Sequence, residues 1–119
     1  WSEKIIKSLD YIGVICVEFF IDKNDKLYVN EIAPRVHNSG HLTIESYNIS
    51  QFESHVRAVC NLEKIEPKLQ NEAEMINILG SDIFKYRDQV MDNNQFFHDY
   101  FKNDAKKGRK MGHLTKIKS

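Results

Sequence analysis

Two short β-rich runs, each interrupted by a single acidic residue, constrain the fold of this chain more than any other feature. Residues 13–21 form an apolar run that contains Glu18, and residues 27–32 form a second run that contains Glu31. The polar residues between the runs, rich in Asp and Asn, are typical of a hairpin turn. If the turn is centred on positions 24 and 25, the strands pair so that Glu18 lies directly opposite Glu31.

Glu18 and Glu31 then form a candidate metal site. Residues that face each other directly in an antiparallel pair hold their Cβ atoms roughly 4.5–5.5 Å apart, where two like charges destabilise the sheet. A cation between the carboxylates relieves the repulsion, and hard oxygen ligands suit Mg²⁺ or Mn²⁺. The alternative is a pair of solvated carboxylates, because acidic residues are mostly exposed to water.

A concentration of polar side chains follows the second run. Arg35, His37, Asn38 and His41 lie within residues 34–41, a segment that also contains Pro and Gly. Loops carry many of the polar side chains that bind ligands. A pair of carboxylates for a metal, followed by an anion-binding loop, indicates a site for phosphate chemistry.

Composition indicates a globular cytoplasmic protein. Of the 119 residues, 41% are hydrophobic and 29% are charged. No apolar run is long enough to span a membrane, and the first four residues lack the pattern of a signal peptide. Cys16 and Cys60 lie in apolar segments and are expected to be buried free thiols, which fits a reducing compartment.

The charge is unevenly distributed, although the net charge is zero. Residues 102–119 contain seven Lys or Arg and one Asp, so this tail is six charges positive and residues 1–101 are six charges negative. A basic tail on an acidic body suggests an anionic partner such as a phosphate, a nucleic acid or an acidic protein. A solvated chain end is the other interpretation.

Periodicity and capping signals predict the elements of the first half. Residues 2–11 have helical spacing of apolar residues behind a cap at Ser2. Ser50 and Glu53 form a capping box that opens a second helix with an apolar face. Residues 63–71, which include a proline, break the pattern and predict a linker.

The second half is predicted to be rich in strands. Strands are expected at residues 75–79, 96–101 and 111–117, with a helix at 83–91 and a basic turn at 102–110. The aromatic residues of this half are expected to fill a core. Together the elements predict an α+β fold divided into residues 1–62, the linker, and a small β-rich domain at residues 72–119.

Four motifs together closely resemble the C-terminal part of the 5-(carboxyamino)imidazole ribonucleotide synthases, a family of ATP-grasp enzymes in purine biosynthesis. They are Val17-Glu18-Phe19-Phe20, the string from Asn30 to His41, Ser50-Gln51-Phe52-Glu53 and Gly108-Arg109-Lys110-Met111-Gly112-His113. The resemblance covers essentially the whole chain. An Asn-Glu pair on a strand is common to ATP-grasp enzymes, whereas the string from Asn30 to His41 is highly specific to this family.

The resemblance implies ATP-dependent carboxylation of 5-aminoimidazole ribonucleotide with bicarbonate, which gives 5-(carboxyamino)imidazole ribonucleotide, ADP and phosphate. In this family bicarbonate is thought to be phosphorylated to carboxyphosphate, and the amine of the ribonucleotide then captures the carboxyl group. ATP and Mg²⁺ (or Mn²⁺) are the implied cofactors. A cytoplasmic homodimer is implied for the full-length enzyme, with no nucleic-acid or membrane partner.

The resemblance also implies roles for the residues of the hairpin and its loop. Glu18 and Glu31 resemble the metal-binding carboxylates that bridge the ATP phosphates, and Asn30 and Glu31 resemble residues that line the nucleotide site. Arg35, His37 and Asn38 resemble the catalytic loop of the family, which holds bicarbonate and the transferring phosphoryl group. An arginine fork suits the oxygens of bicarbonate or phosphate, and a histidine donates a hydrogen bond or moves a proton.

Lys102 and Arg109, which flank the basic turn, resemble the residues that hold the 5′-phosphate of the ribonucleotide. Relatives usually have a proline before the glycine of this turn, where this chain has Lys107. A proline would stiffen the turn. His113 is expected to be structural.

The resemblance further implies that the chain is a fragment. Residues 1–62 correspond to the C-terminal portion of an ATP-grasp domain, and residues 72–119 to a truncated C-terminal domain. The nucleotide-like N-terminal domain, the glycine-rich flap and the lysines that grip ATP have no counterpart here, so the chain alone is expected to be inactive.

Two alternatives compete with this interpretation. Other ATP-grasp ligases, such as the formate-dependent formyltransferase and biotin carboxylase, share the pair of carboxylates but lack the string His37-Asn38-Ser39-Gly40-His41. A non-catalytic module that binds nucleic acid through the basic tail is the other alternative. Its aromatic residues are not interleaved with basic ones, as stacking on single strands favours.

Overall fold

The computed structural model describes residues 1–118, which form two compact units. The first unit contains Trp1–Thr43 and Ile49–Pro67, and the second contains Ile44–Asn48 and the chain from Lys68 onward. Helices and antiparallel strands make up the described chain, so the predicted α+β fold class is confirmed. Between residues 1 and 118, no helix is long and apolar enough to cross a bilayer.

The first unit begins with helix α1, Ser2–Leu9. The predicted cap at Ser2 is wrong, because Trp1 occupies the N-cap position and its side chain makes no capping hydrogen bond. The helix also ends before the predicted residue 11. Asp10 adopts a left-handed backbone conformation with φ of 47°, which terminates the helical path.

Strands β1 (Cys16–Ile21) and β2 (Leu27–Ala33) form the predicted antiparallel hairpin. Glu18 lies directly opposite Glu31, which confirms the predicted pairing of the two acidic residues.

A β-bulge in β2 sets this pairing. On the side of the turn Phe19 pairs with Val29, so Asn30 is an extra residue that pairs with none on β1. Without it, the register set by the turn would place Glu18 opposite Asn30 instead of Glu31. The position of the two carboxylates therefore depends on one additional residue.

The hairpin turn is centred on Asn24, and not between positions 24 and 25 as predicted. The N–H of Asp22 donates to the carbonyl of Lys26 at 3.0 Å, and Asp25 takes a left-handed conformation with φ of 59°. The Asp22 carboxylate accepts the N–H groups of Lys26 at 3.0 Å and Asn24 at 2.8 Å. These bonds hold the pKa of Asp22 below its usual value.

Helix α3 (Gln51–Val59) completes the first unit. The Oγ of Ser50 accepts the N–H of Glu53 at 3.1 Å, which confirms the predicted cap. The Glu53 carboxylate accepts a hydrogen bond from Arg57 Nε at 2.8 Å instead of completing the capping box. The predicted apolar face is largely exposed, with Val56 at 53%.

The second unit contains a three-stranded antiparallel sheet in the order β3-β5-β4. Its elements are β3 (Ala73–Leu79), α4 (Ile83–Arg87), β4 (Gln95–Asp99) and β5 (Lys110–Ile117). A buried cluster of Ile78, Ile83, Met111 and Leu114 forms its core. The predicted helix at 83–91 ends early, and Val90 beyond its end is 92% exposed.

A short segment earlier in the chain also belongs to the second unit. It includes most of helix α2 (Thr43–Ser46) and residue Tyr47, which forms an isolated antiparallel bridge with Leu69. The N–H of Gln70 donates to the carbonyl of Ser46 at 2.8 Å. The predicted linker residues are therefore partly paired, and those from Lys68 onward group with the second unit.

Some predictions of burial are wrong. Both cysteines are free, but Cys60, which follows the last residue of α3, is exposed. Among the aromatic residues expected in the core, Phe97 packs against the buried cluster. Phe96 is 37% exposed and Phe101 is 80% exposed.

Gly112 lies where β5 pairs with β4, and a Cβ atom there would lie 2.5 Å from the His98 carbonyl oxygen. We expect Gly112→Ala to lower the free energy of unfolding by about 3 kcal/mol or more, because the strands must separate. Urea denaturation measures this change. Gly108→Ala is the control. A Cβ atom at Gly108 would have no heavy atom within 4 Å, so its only cost is about 1–2 kcal/mol of backbone strain from the φ of 77°. A smaller loss for Gly112→Ala than for the control would contradict the steric argument.

Candidate functional site

The opposed carboxylates of Glu18 and Glu31 form the base of the candidate site in the first unit. Asn30, the extra residue of the bulge, donates its Nδ2 to Glu18 Oε2 at 3.2 Å. The bulge therefore places the carboxylates opposite each other and also supplies a neutral hydrogen bond to one of them.

His37, from the loop after β2, contacts the same carboxylate. Its Nε2 lies 3.1 Å from Glu18 Oε1, and its side chain is 18% exposed. The N–H and Oγ of Ser39 lie 3.3 and 2.8 Å from His37 Nδ1. Because Nδ1 accepts the Ser39 N–H, the ring proton of a neutral His37 lies on Nε2 and points at Glu18.

Arg35 makes the corresponding contact with the other carboxylate. Its Nη2 lies 3.9 Å from Glu31 Oε1, and its Nη1 donates to the Val36 carbonyl at 3.0 Å. Both partners of the ion pair are more than half exposed, so the pair adds little to stability. Each carboxylate thus has one partner from the loop, and the guanidinium retains further N–H groups for a ligand.

The donor set fits a nucleotide-bound divalent cation better than a structural metal. Among residues 1–118, no group of three or more His, Cys, Asp or Glu is arranged to hold a metal ion. Mg²⁺ in phosphate sites is commonly held by one or two carboxylates together with substrate phosphates and water. Glu18 and Glu31 supply that number of carboxylates from adjacent strands.

Gln51 fixes the shape of the loop. Its buried side chain accepts the His37 N–H at 2.9 Å and donates to the His37 carbonyl at 2.7 Å. The same Nε2 lies 2.7 Å from His41 Nδ1. The sequence identified Gln51 only as the start of a helix. Its position within a family-specific motif was the available signal, and the convergence of its amide on the loop was not visible from spacing.

The middle of the loop forms a short 3₁₀-helix, Asn38–Gly40, whose first residue is half-buried. The Thr43 hydroxyl donates to the Gly40 carbonyl at 2.6 Å and accepts the Gln51 N–H at 2.9 Å. A Cβ at Gly40 would lie 2.5 Å from Gln51 Oε1, so a larger residue there would displace the Gln51 amide from its present position. The loop that carries Asn38 is consequently rigidly attached to helix α3.

Lys102 and Arg109 lie in the second unit, in the connection between β4 and β5. Lys102 Nζ donates to the Lys110 carbonyl at 2.7 Å and lies 5.3 Å from the centre of the Tyr100 ring. Arg109 Nη1 donates to the Asp104 carbonyl at 3.1 Å. Both cations therefore bind neutral groups and keep their full charge for an anion.

The turn that precedes Arg109 keeps a regular form although Lys107 replaces the usual proline. The Arg109 N–H donates to the Lys106 carbonyl at 3.0 Å, and Gly108 has φ of 77°. A positive φ at the third position is the signature of a type II turn, whose second position often holds proline. Lys107 occupies that second position, so the missing proline changes stiffness more than shape.

Asp99, at the end of β4, fixes the backbone just before Lys102. Its carboxylate accepts Arg87 Nε at 2.6 Å and Nη2 at 3.3 Å, and it accepts the Phe101 N–H at 2.7 Å. Phe101 is held in a left-handed conformation with φ of 52°. The Arg87 guanidinium holds the pKa of Asp99 below its usual value, and the Phe101 N–H adds to the effect.

The structure thus brings the hairpin and loop residues together within the first unit. Glu18, Asn30, Glu31, Arg35 and His37 form one connected set of contacts. Lys102 and Arg109 belong to the second unit, where both lie on one connection.

Two family models match the chain. Residues 1–52 match the ATP-grasp domain, and residues 73–119 match the phosphoribosylaminoimidazole carboxylase C-terminal domain.

Curated relatives are N5-carboxyaminoimidazole ribonucleotide synthases. The protein from Brucella melitensis is 45% identical over 117 residues, which are 98% of this chain and 32% of the relative. The protein from Staphylococcus saprophyticus is 47% identical over 114 residues, with 94% of this chain and 30% of the relative covered. The chain therefore spans about a third of the length of these relatives.

Solved structures give the same result. The N5-carboxyaminoimidazole synthetase from Staphylococcus aureus in complex with ADP superposes with a TM-score of 0.89 at 43% identity, covering 99% of this chain and 33% of that chain. The synthase from Aspergillus clavatus in complex with ADP and 5-aminoimidazole ribonucleotide has a TM-score of 0.78 at 37% identity, covering 89% and 30%.

Replacing Gln51 by leucine tests whether this residue holds the loop. We expect Gln51→Leu to lower the free energy of unfolding by about 2–4 kcal/mol, because the His37 N–H and carbonyl lose their partners. Gln89→Leu, at an exposed position, is the matched control and should change stability little. Chemical denaturation followed by circular dichroism measures both. Equal losses for the two variants would show that the Gln51 hydrogen bonds contribute nothing specific.

The depressed pKa of Asp99 predicts a pH-dependent contribution to stability. A carboxyl group with a lowered pKa in the folded state stabilises the protein above its unfolded value of about 3.9 and loses this effect as the pH falls through the folded value. The stability difference between the unmodified chain and Asp99→Asn should therefore be largest near pH 6 and shrink below pH 4 or so.

Urea denaturation across pH 2–7 measures this difference. Arg87→Met removes the partner of Asp99 and leaves its carboxylate. This variant should likewise show a smaller loss of stability as the pH falls. An unchanged pH profile in both variants would contradict the assignment of the Arg87 pair.

Proposed function

From the membership of this chain in the N5-carboxyaminoimidazole ribonucleotide synthase family of ATP-grasp enzymes, we propose that it forms part of a carboxylase site. The reaction is the ATP-dependent carboxylation of 5-aminoimidazole ribonucleotide with bicarbonate, which yields the N5-carboxyamino product, ADP and phosphate. The observation that carries the proposal is the pair Glu18 and Glu31, with one partner for each from the adjacent loop.

Glu18 and Glu31 are the proposed ligands of Mg²⁺ or Mn²⁺, and Asn30 and Glu31 line the nucleotide site. When bound, such a cation neutralises the charge on the ATP phosphates. The carboxylates face each other across the hairpin, so they supply the negative charge that attracts it. Asn30 keeps one of these carboxylates oriented through its hydrogen bond to Glu18.

Arg35, His37 and Asn38 are the proposed catalytic residues and the binding site for bicarbonate and the transferring phosphoryl group. Arg35 and His37 contact the carboxylates at 3.9 and 3.1 Å. The N–H groups of these side chains are therefore already gathered beside the place where negative charge develops. Phosphoryl transfer depends on such positioning and charge neutralisation more than on covalent chemistry.

Lys102 and Arg109 are the proposed binding residues for the 5′-phosphate of the ribonucleotide. Each of these two cations donates to a backbone carbonyl, which is a neutral group and leaves the positive charge in place. By contrast, the neighbouring Lys106 forms an ion pair with Asp104 at 3.1 Å. The difference favours Lys102 and Arg109 as the anion-binding groups of this connection.

The rest of the proposal follows from the family. We propose a cytoplasmic homodimer whose partners are small molecules, namely ATP, bicarbonate and 5-aminoimidazole ribonucleotide. A nucleic-acid-binding role is disfavoured because the aromatic residues of the second unit are not interleaved with basic ones, as stacking on single strands favours. Binding to an unrelated oligonucleotide that is tight and sensitive to salt would favour that role instead.

A hybrid synthase tests the role of Glu31. In it, this chain replaces the equivalent residues of the Staphylococcus aureus relative, with which it shares 44% identity. We expect Glu31→Gln to lower bicarbonate-dependent ATP hydrolysis by about 10²-fold or more, because it removes one of two carboxylates for the cation. Release of phosphate with and without bicarbonate measures the activity.

Glu74→Gln is the matched control, since Glu74 is also an exposed glutamate on a strand. It should leave the activity unchanged. Full activity in Glu31→Gln would rule out the proposed role of Glu31, and an inactive hybrid without substitutions would count against the proposed function of the chain.

A further inference from the structure

The Lys102 ammonium group is held in place before any ligand binds. It donates to the Lys110 carbonyl at 2.7 Å and lies 5.3 Å from the centre of the Tyr100 ring. A free lysine side chain loses conformational entropy when it is immobilised. Holding the ammonium in advance lowers that cost when an anion binds.

The Tyr100 ring beneath this ammonium is itself fixed. Its hydroxyl lies 2.8 Å from His113 Nδ1, and its backbone N–H donates to the Met111 carbonyl at 2.9 Å. The Tyr100 and His113 rings also contact each other, with centres 5.7 Å apart. His113 is only 2% exposed, so Tyr100 is anchored to the interior of the sheet.

A stack of polar side chains continues below His113. His98 is its direct cross-strand partner, and the two imidazole rings stack with centres 4.5 Å apart at an angle of 18°. His98 Nε2 lies 2.6 Å from Glu45 Oε1, and the Glu45 side chain is only 6% exposed. The column of Glu45, His98 and His113 thus connects a buried carboxylate to the hydroxyl of Tyr100.

We propose that Tyr100 is a positioning residue for the Lys102 ammonium, and that the column of Glu45, His98 and His113 fixes the Tyr100 ring. The inference rests on the proposed function in one respect, namely that Lys102 binds the 5′-phosphate. Tyr100 acts through Lys102. The face of the ring attracts the ammonium electrostatically, since the π-system is negative on its face.

Core packing alone accounts for the stacked pair of His98 and His113, but it does not account for the cation above the Tyr100 ring. If Tyr100 only packs in the unit, its removal should lower ligand affinity by the same factor whether or not Lys102 is present. If it positions Lys102, its effect on ligand affinity must disappear once Lys102 is absent. The two explanations therefore make different predictions for a double-mutant cycle.

The first experiment uses this chain without a ligand. Aromatic ring currents should shift the NMR signals of the Lys102 ε-methylene upfield relative to those of Lys107, an exposed lysine of the same connection. Tyr100→Leu should abolish the shift, and Tyr100→Phe, which keeps the ring but loses the bond to His113, should retain part of it. Equal shifts for Lys102 and Lys107 in the unmodified chain would overturn the proposal.

The second experiment measures KM for 5-aminoimidazole ribonucleotide in the hybrid synthase. Tyr100→Leu should raise KM by about 3- to 10-fold with little change in kcat, because the lost interaction concerns binding. Tyr100→Phe should restore most of the affinity. In a Lys102→Ala background, Tyr100→Leu should cause no further increase.

An equal rise in KM in both backgrounds would overturn the positioning role and leave packing as the explanation. If Lys102→Ala leaves KM unchanged, the proposed phosphate role of Lys102 fails instead. The ligand-free NMR measurement still decides whether Tyr100 holds the ammonium, so the two failures are distinguishable.

Discussion

The electrostatic opposition of Glu18 and Glu31 is the constraint on which the first unit depends. Two unit charges about 5 Å apart repel by roughly 3 kcal/mol at an effective dielectric constant near 20, and by less when they are partly solvated. Asn30, Arg35 and His37 relieve that repulsion through their contacts with the carboxylates. Because the relief comes from the loop, the hairpin and the loop form one electrostatic unit. A divalent cation between the strands would take over this role and leave the loop donors for an anion.

In the second unit, by contrast, a positive charge is held in place without being neutralised. The Arg87 guanidinium forms a bidentate ion pair with the Asp99 carboxylate. The same carboxylate accepts the Phe101 N–H and so holds the backbone at that residue. Lys102 is restrained by a carbonyl and an aromatic ring, neither of which cancels its charge. The second unit therefore contains one cation that stabilises the backbone, Arg87 in α4, and another, Lys102, that is immobilised without being neutralised.

The sequence was sufficient for the features that depend on local pattern. The hairpin and the Ser50 cap follow from alternation and capping chemistry, and the structure contains them. The bulge at Asn30 was not predicted. The predicted pairing of Glu18 with Glu31 is nevertheless right, because the error in the centre of the turn and the extra residue in β2 compensate each other in the register. Gln51 was missed as a loop support because its three side-chain contacts join positions separated by ten or more residues. Burial was overestimated on α3, where Val56 and its neighbours find no covering element within the described residues.

The aromatic residues show why a pattern alone could not assign the second unit. Phe97, Tyr100 and Phe101 lie within five positions, yet one packs in the core, one underlies a cation and one is exposed. Their different positions follow from the end of β4 at Asp99, whose carboxylate turns the chain at Phe101. A left-handed conformation at a bulky residue costs about 1–2 kcal/mol, and the Asp99 hydrogen bond offsets part of it. The strained residue Phe101 directly precedes Lys102. The same sharp departure of the chain from β4 therefore causes the backbone strain and sets the position of the Lys102 ammonium in the proposed phosphate site.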